Sequence, residues 1–188
     1  KALLKVAIDT VNDPYTIMLK PSQAQVKTKK SPTQGEIKNS ISNDGKLLTI
    51  VDFDSDKGCQ ASGLISKPED VMKMDLRDNI GGDLECTLKV LSEFLPVGKH
   101  HIATLFTING EEEIWIEGTL PSNQSTISKN LIVNKNTASS AEIFAKNLIS
   151  SGWGVSGLPM KGKRSIQAKF DSPYGSYLLT IGNFEINE

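Results

Sequence analysis

Apolar positions along this chain follow two rhythms, and the changes between them mark its elements. Leu3, Leu4, Ala7, Ile8 and Val11 fall at helical spacing, which predicts a short helix over residues 1–11. Asn12-Asp13-Pro14 ends it, because proline disfavours helix in the residue before it. Residues 25–44 are polar, with Val26, Ile37 and Ile41 as apolar anchors, and read as a linker or an exposed hairpin. From Lys46 the pattern turns β-rich, with strands expected over 47–51 and 71–76. An irregular helix weakened by Gly58 and Gly63 is expected between them. Residues 83–95 carry Leu84, Leu88, Leu91 and Leu95 on one helical face, and Pro96 and Gly98 stop that helix. Strands over 101–108 and 113–118 flank Asn109-Gly110, the strongest short hairpin signal. A strand over 130–134, a helix over 138–150 and strands over 153–156, 165–170 and 177–184 complete the pattern. Strands alternating with helices, plus a hairpin, imply an α/β fold with a mixed sheet and flanking helices.

Composition removes several function classes. The chain has 188 residues, 38% of them apolar and 23% charged, with a net charge of −1. That length suits one domain, or one domain with a short appendage. Without a basic excess there is little to neutralise phosphates, so no nucleic-acid partner is expected. No apolar run approaches the ~20 residues of a membrane span, and Lys1 is followed by an amphipathic pattern rather than the apolar stretch of a signal peptide. Cys59 and Cys86 lie outside metal-ligand spacing; two small buried thiols are the expectation, one disulfide the alternative. His100 and His101 are adjacent and would point to opposite faces of a strand. No metal and no cofactor are expected.

Three places could carry chemistry. Asp75-Leu76-Arg77-Asp78-Asn79-Ile80-Gly81-Gly82 runs from a strand through a glycine pair into a helix. The glycines allow close backbone approach, and the helix start offers unpaired N–H donors; an ordinary tight turn would look the same. Asn134 to Ile143 is again strand into helix, with Thr137 the expected N-cap and Ser139 and Ser140 in the first turn. A serine there sits among orphan N–H groups, suited to a nucleophile and its oxyanion, although serines commonly start helices. Met160 to Gln167 is a basic turn entering a strand, where a cluster of charge is ordinarily solvated surface. Neither GxSxG nor SxxK is present. A lysine base would need its pKa lowered from ~10.4 towards ~7–8, and burial can supply that.

Taken together these segments resemble peptidase family S41, the carboxyl-terminal processing or tail-specific proteases. The family pattern DLRxNxGG matches Asp75 to Gly82, the TASASEI-like segment matches Thr137-Ala138-Ser139-Ser140-Ala141-Glu142-Ile143, and the GKGxxQ segment matches Gly162-Lys163-Arg164-Ser165-Ile166-Gln167. Asp13-Pro14-Tyr15-Thr16-Ile17-Met18-Leu19 is similar to its DPYTxxL segment. Ser140 and Ala141 stand in exchanged order relative to the family, and Arg164 replaces the second glycine of GKG. The resemblance implies a ClpP/crotonase-like core and peptide-bond hydrolysis by a serine endopeptidase acting on unfolded or C-terminal segments. It implies Ser139 as nucleophile, Lys163 as base, Gln167 orienting that lysine, and an oxyanion hole from Ser140 and Gly81 or Gly82. Protein or peptide substrates and an exported location (periplasm, lumen or cell exterior) follow from it, while the oligomeric state stays open. About 25 residues separate Leu19 from Lys46, too few for the PDZ domain that many relatives insert there. The expected organisation is a helical segment over 1–25, a linker over 26–45 and a catalytic core over 46–188. The competing reading is a non-catalytic binder of the same fold, taking apolar ligands or peptides.

Overall fold

The computed structural model describes residues 13–19, 38–53, 59–121, 128–173 and 175–186. The helix expected over 1–11, and most of the expected linker, lie outside the described residues. Among those described are ten strands, β1 (Ile17–Met18), β2 (Ser40–Ile41), β3 (Leu47–Thr49), β4 (Lys73–Asp75), β5 (Gly98–Thr107), β6 (Gly110–Gly118), β7 (Asn130–Val133), β8 (Gly154–Gly157), β9 (Ser165–Ser172) and β10 (Gly175–Glu185). Three α-helices accompany them: α1 (Gln60–Gly63), α2 (Leu84–Ser92) and α3 (Ser140–Ser150). The fold is mixed α/β with two sheets rather than one. No described helix is long and apolar enough to cross a membrane.

The chain divides into two compact units: Lys1–Gly35, Leu105–Glu111 and Arg164–Phe184 form the first, and Glu36–Thr104, Glu112–Lys163 and Glu185–Glu188 the second. In the first, the strand order is β1-β10-β5-β6, with the tips of β5 and β6 taking part and β9 beside β10. β1 and β9 both pair antiparallel with β10, Ile17 opposite Leu178 and Phe170 opposite Tyr177. The β5–β6 turn falls at Ile108 and Asn109, and Gly110 takes the positive φ (117°) that the Asn-Gly signal anticipates.

The second unit holds the sheet β2-β3-β4-β7-β8. β2 is antiparallel to β3, and β3, β4, β7 and β8 are mutually parallel. The end of the stretch read as linker therefore forms a short hairpin. Parallel strands need cover on both faces, and here Leu48, Met74, Leu131 and Val133 are buried. Phe144 of α3 and Phe94, in the turn just after α2, complete this core. Phe144 lies 5.3 Å from Phe53 and 6.5 Å from Phe94, whose ring stands edge-on to Trp153 at 6.0 Å. Each such buried side chain contributes about 1.5–3 kcal/mol.

Two expectations are corrected here. The buried face of α2 carries Cys86, Thr87, Val90 and Leu91, continuing to Phe94, whereas Leu84 and Leu88 are half-buried. Leu91 and Leu95 are buried as expected, whereas the first half of the stripe is turned, with Thr87 and Val90 buried above Phe94 in place of Leu84 and Leu88. Cys59 and Cys86 are joined in a disulfide rather than held as thiols. Contact between α1 and α2 brings Cys59, just before α1, against the first turn of α2. The two histidines meet different neighbours: His100 Nε2 lies 2.8 Å from the Pro96 carbonyl oxygen, and the His101 ring 4.8 Å from that of Trp115.

Candidate active site

The first segment leaves β4 and turns back before α2. Asn79 is fully buried; its Nδ2 donates to the Ile50 carbonyl at 3.0 Å and its Oδ1 accepts from the Gly81 N–H at 2.8 Å. This side chain pins the glycine turn to the sheet. Gly81 has φ +100°, and a Cβ there would lie 2.9 Å from the Ala138 carbonyl oxygen, 3.0 Å from Ser139 Cβ and 3.0 Å from Ser140 N. Only glycine lets this turn press so closely on the serine segment. Gly82 follows on the surface, bridged to Phe53.

The second segment leaves β7 and turns into α3. Thr137 was expected to cap this helix, but the N-cap is Ser139. The fully buried Thr137 hydroxyl is committed elsewhere, donating to the Leu76 carbonyl at 2.9 Å and accepting from Asn134 N at 3.1 Å. Ala138 N donates to the Asn79 carbonyl at 3.0 Å. With its predecessors fixed this way, Ser139 adopts φ 58° and ψ −128°. A capping serine needs only extended backbone; this conformation costs about 1–3 kcal/mol and is tolerated where the surroundings over-determine it. The sharp turn presents half-buried Ser139 at the head of α3 beside Gly81. Ser140, by contrast, is buried and its hydroxyl donates to the Gly82 carbonyl at 3.2 Å.

The third segment approaches from the loop after β8. Lys161 N donates to the Thr137 carbonyl at 3.0 Å. Gly162, with φ +76°, turns the next two N–H groups towards one carboxylate: Glu142 Oε1 accepts from Gly162 N at 2.7 Å, and Oε2 from Lys163 N at 2.9 Å. Successive N–H groups around a left-handed residue form such an anion-holding concavity. The same Oε2 accepts from Ser139 N at 3.0 Å. The structure thus joins the backbones of Ser139 and Lys163 through one side chain, itself 2% exposed. Glu142 received no role from the sequence, although its place three residues after a serine at a helix start is the capping-box spacing.

Charged groups near the glycine turn are held ionised. Burial pushes the Asp75 carboxyl up, but hydrogen bonds and charge from Arg77 (2.6 Å) outweigh it, and its pKa lies below the ordinary value. Asp78 is also lowered, by the side-chain amides of Asn136 (2.7 Å) and Asn134 (3.0 Å).

Gln167 lies on β9 in the first unit and donates from Nε2 to the Tyr15 carbonyl. Tyr15 belongs to a tight turn built by Asp13, which accepts from Tyr15 N at 3.1 Å, from the Thr16 hydroxyl at 2.6 Å and from the Thr180 hydroxyl. The Thr16 and then the Thr180 hydroxyl hold the Asp13 carboxyl below its usual range. The DPYT-like segment therefore serves to fix β1 against β10.

A family model for peptidase family S41 matches residues 61–185, about two thirds of the chain. The chain belongs to peptidase family S41. Solved structures similar to it share the S41 fold. One is a photosystem II D1 C-terminal processing protease, at TM-score 0.57 and 23% identity over 74% of this chain and 37% of that one. A lipoprotein from Streptococcus agalactiae matches at TM-score 0.65 and 17% identity, over 97% of this chain and 68% of that one. A protein described as an S41 protease from Bacteroides fragilis matches at TM-score 0.50 and 17% identity, over 77% of this chain and 44% of that one. The chain thus spans less than half the length of the two proteases. No curated protein matches the sequence.

Proposed function

We propose that this S41 chain is a serine endopeptidase with Ser139 as nucleophile and Lys163 as general base. The observation that carries the reading is the backbone of Ser139. A serine that merely started a helix would have no need of φ 58°, ψ −128°; a serine that must project its hydroxyl from a strand-to-helix elbow would. Burial and prior engagement of Ser140 favour Ser139 as the nucleophile of the pair.

In the proposed reaction the Ser139 hydroxyl attacks the scissile carbonyl carbon while its proton passes to the Lys163 amine. The C=O π pair moves onto oxygen, and the oxyanion is received by backbone N–H donors. Ser140 N, at the head of α3, is one; the positive end of the helix favours negative charge there. With the Gly81 N–H already donated to Asn79, Gly82 supplies the second. Collapse breaks the C–N bond, and the amine leaves with the proton from Lys163. Lys163 then takes a proton from the water that attacks the acyl carbon, and returns it to Ser139 Oγ as the ester C–O bond breaks and the acid product leaves. Gln167, by resemblance to the family, orients the lysine.

The substrates proposed are unfolded or C-terminal segments of proteins. The Cys59–Cys86 disulfide supports an oxidising, extracytoplasmic location. The test is cleavage of casein at pH 7–9 by the wild type and by Ser139→Ala, Ser140→Ala and Lys163→Ala. Loss in the Ser139 and Lys163 variants alone is expected, by about 10⁴-fold or more; equal activity in all four would sink the proposal.

A further inference from the structure

We infer that Glu142 is a positioning residue for the reaction, a clamp that sets the reach of the base to the nucleophile. The inference rests on reading Ser139 and Lys163 as the reacting pair. These residues come from segments about 20 residues apart in sequence; Lys161 N ties the lysine loop to the Thr137 carbonyl at 3.0 Å, and the direction of the last two residues, Gly162 and Lys163, is left to a second contact. Glu142 supplies it with two oxygens. Its Oε2 holds Ser139 N at 3.0 Å and Lys163 N at 2.9 Å, and its Oε1 holds Gly162 N at 2.7 Å.

A surface glutamate in a capping box would bond only its own helix start. Glu142 is almost wholly buried, and besides Ser139 N it holds Gly162 N and Lys163 N, both outside that helix start. Both oxygens are used, so the planar carboxylate fixes direction as well as distance. Gly162 is the complementary half: its left-handed backbone aims two consecutive N–H groups at one carboxylate, and a Cβ there would meet nothing within 4 Å. Its glycine identity is thus required by conformation and not by crowding. A displacement of the lysine loop by about 1 Å would cost about 100-fold in rate.

The experiment compares kcat and KM for cleavage of labelled casein, with melting temperature, in the wild type, Ser139→Ala, Glu142→Gln, Gly162→Ala and the double variant Glu142→Gln/Gly162→Ala. Glutamine keeps the shape but sets an NH2 group against an N–H donor. The expected result is a fall in kcat of about 10- to 100-fold in each single variant with KM held within about twofold. The double variant should be no slower than the worse single one, since both break the same contact. Wild-type kcat in a folded Glu142→Gln protein, or fully multiplicative losses in the double variant, would overturn the inference. Should Glu142→Gln fail to fold, Gly162→Ala decides: its exposed loop leaves the core intact, and wild-type kcat there overturns the clamp. Cleavage by Ser139→Ala at the wild-type rate would instead remove the underlying reading of the dyad.

Discussion

Two strand-to-helix junctions lie side by side in the second unit, and they solve the same problem in opposite ways. At the start of α2, Asp83 is an ordinary cap: φ −67°, ψ 129°, with Oδ1 accepting from Cys86 N at 2.8 Å. At the start of α3, Ser139 is forced into a left-handed conformation, and the helix-start bond runs the other way, from Ser139 N to Glu142. The first junction is stabilised by its cap. The second is held in place by its neighbours, through Thr137, Asn79, Lys161 and Glu142. Strain that local sequence would relieve is kept by contacts arriving from other segments, and it is on that pattern that the proposal for Ser139 rests.

The contrast can be broken most severely at Gly81. Gly81→Ala would drive a methyl into Ser139 and Ser140 from a backbone already at φ +100°. The expected outcome is loss of casein cleavage by about 100-fold or more and destabilisation of about 2–4 kcal/mol in urea titration. Next comes the disulfide, which anchors the α2 junction: it closes a 27-residue separation. Reduction should remove about 2–4 kcal/mol, read as a lowered Tm in dithiothreitol.

Smaller and more telling is a pair of opposite signs. Asp83→Ala should cost about 1 kcal/mol, the value of a helix cap. Ser139→Gly should instead stabilise the fold by about 1 kcal/mol, because glycine occupies positive φ without penalty, while abolishing cleavage. Equal destabilisation in both would mean that Ser139 is an ordinary cap. The smallest effect concerns Asp78, whose amide partners Asn134 and Asn136 belong to the other junction. Its folded pKa lies below the unfolded 3.8. Its contribution is therefore complete above about pH 4 and lost as pH falls through the folded value. The Tm difference between wild type and Asp78→Asn should narrow on acidification from pH 6 to 2.5.

What could be read from the chain follows the range of the forces involved. The Asn109-Gly110 hairpin, α2, α3 and the two C-terminal strands are local patterns, and each appears within a few residues of its expected place. Family membership was legible because its motifs are contiguous. The cap of α3 was misread because Thr137 satisfies every local preference for the role. Only a distant carbonyl, that of Leu76, draws its hydroxyl away. The disulfide stood only as the alternative for the same reason, since spacing does not tell which helices touch. Glu142 was half legible: its bond to Ser139 obeys a local rule, whereas its bonds to Gly162 and Lys163 cross about 20 residues of sequence.

The anchoring of β1 has a kinetic side. Asp13 grips Thr180, and Ile17 pairs with Leu178, about 160 residues later. At synthesis rates of roughly 5–20 residues per second, the DPYT-like segment waits on the order of ten seconds before its partner strand exists. The second unit's sheet can assemble in that interval from strands already made, whereas the first unit can close only when β10 arrives. Gln167, whose amide donates to Tyr15, acquires that partner only then. A nascent or truncated chain ending before β10 would therefore carry the second unit's sheet complete while β1 and the Asp13 turn still lacked their partner strand.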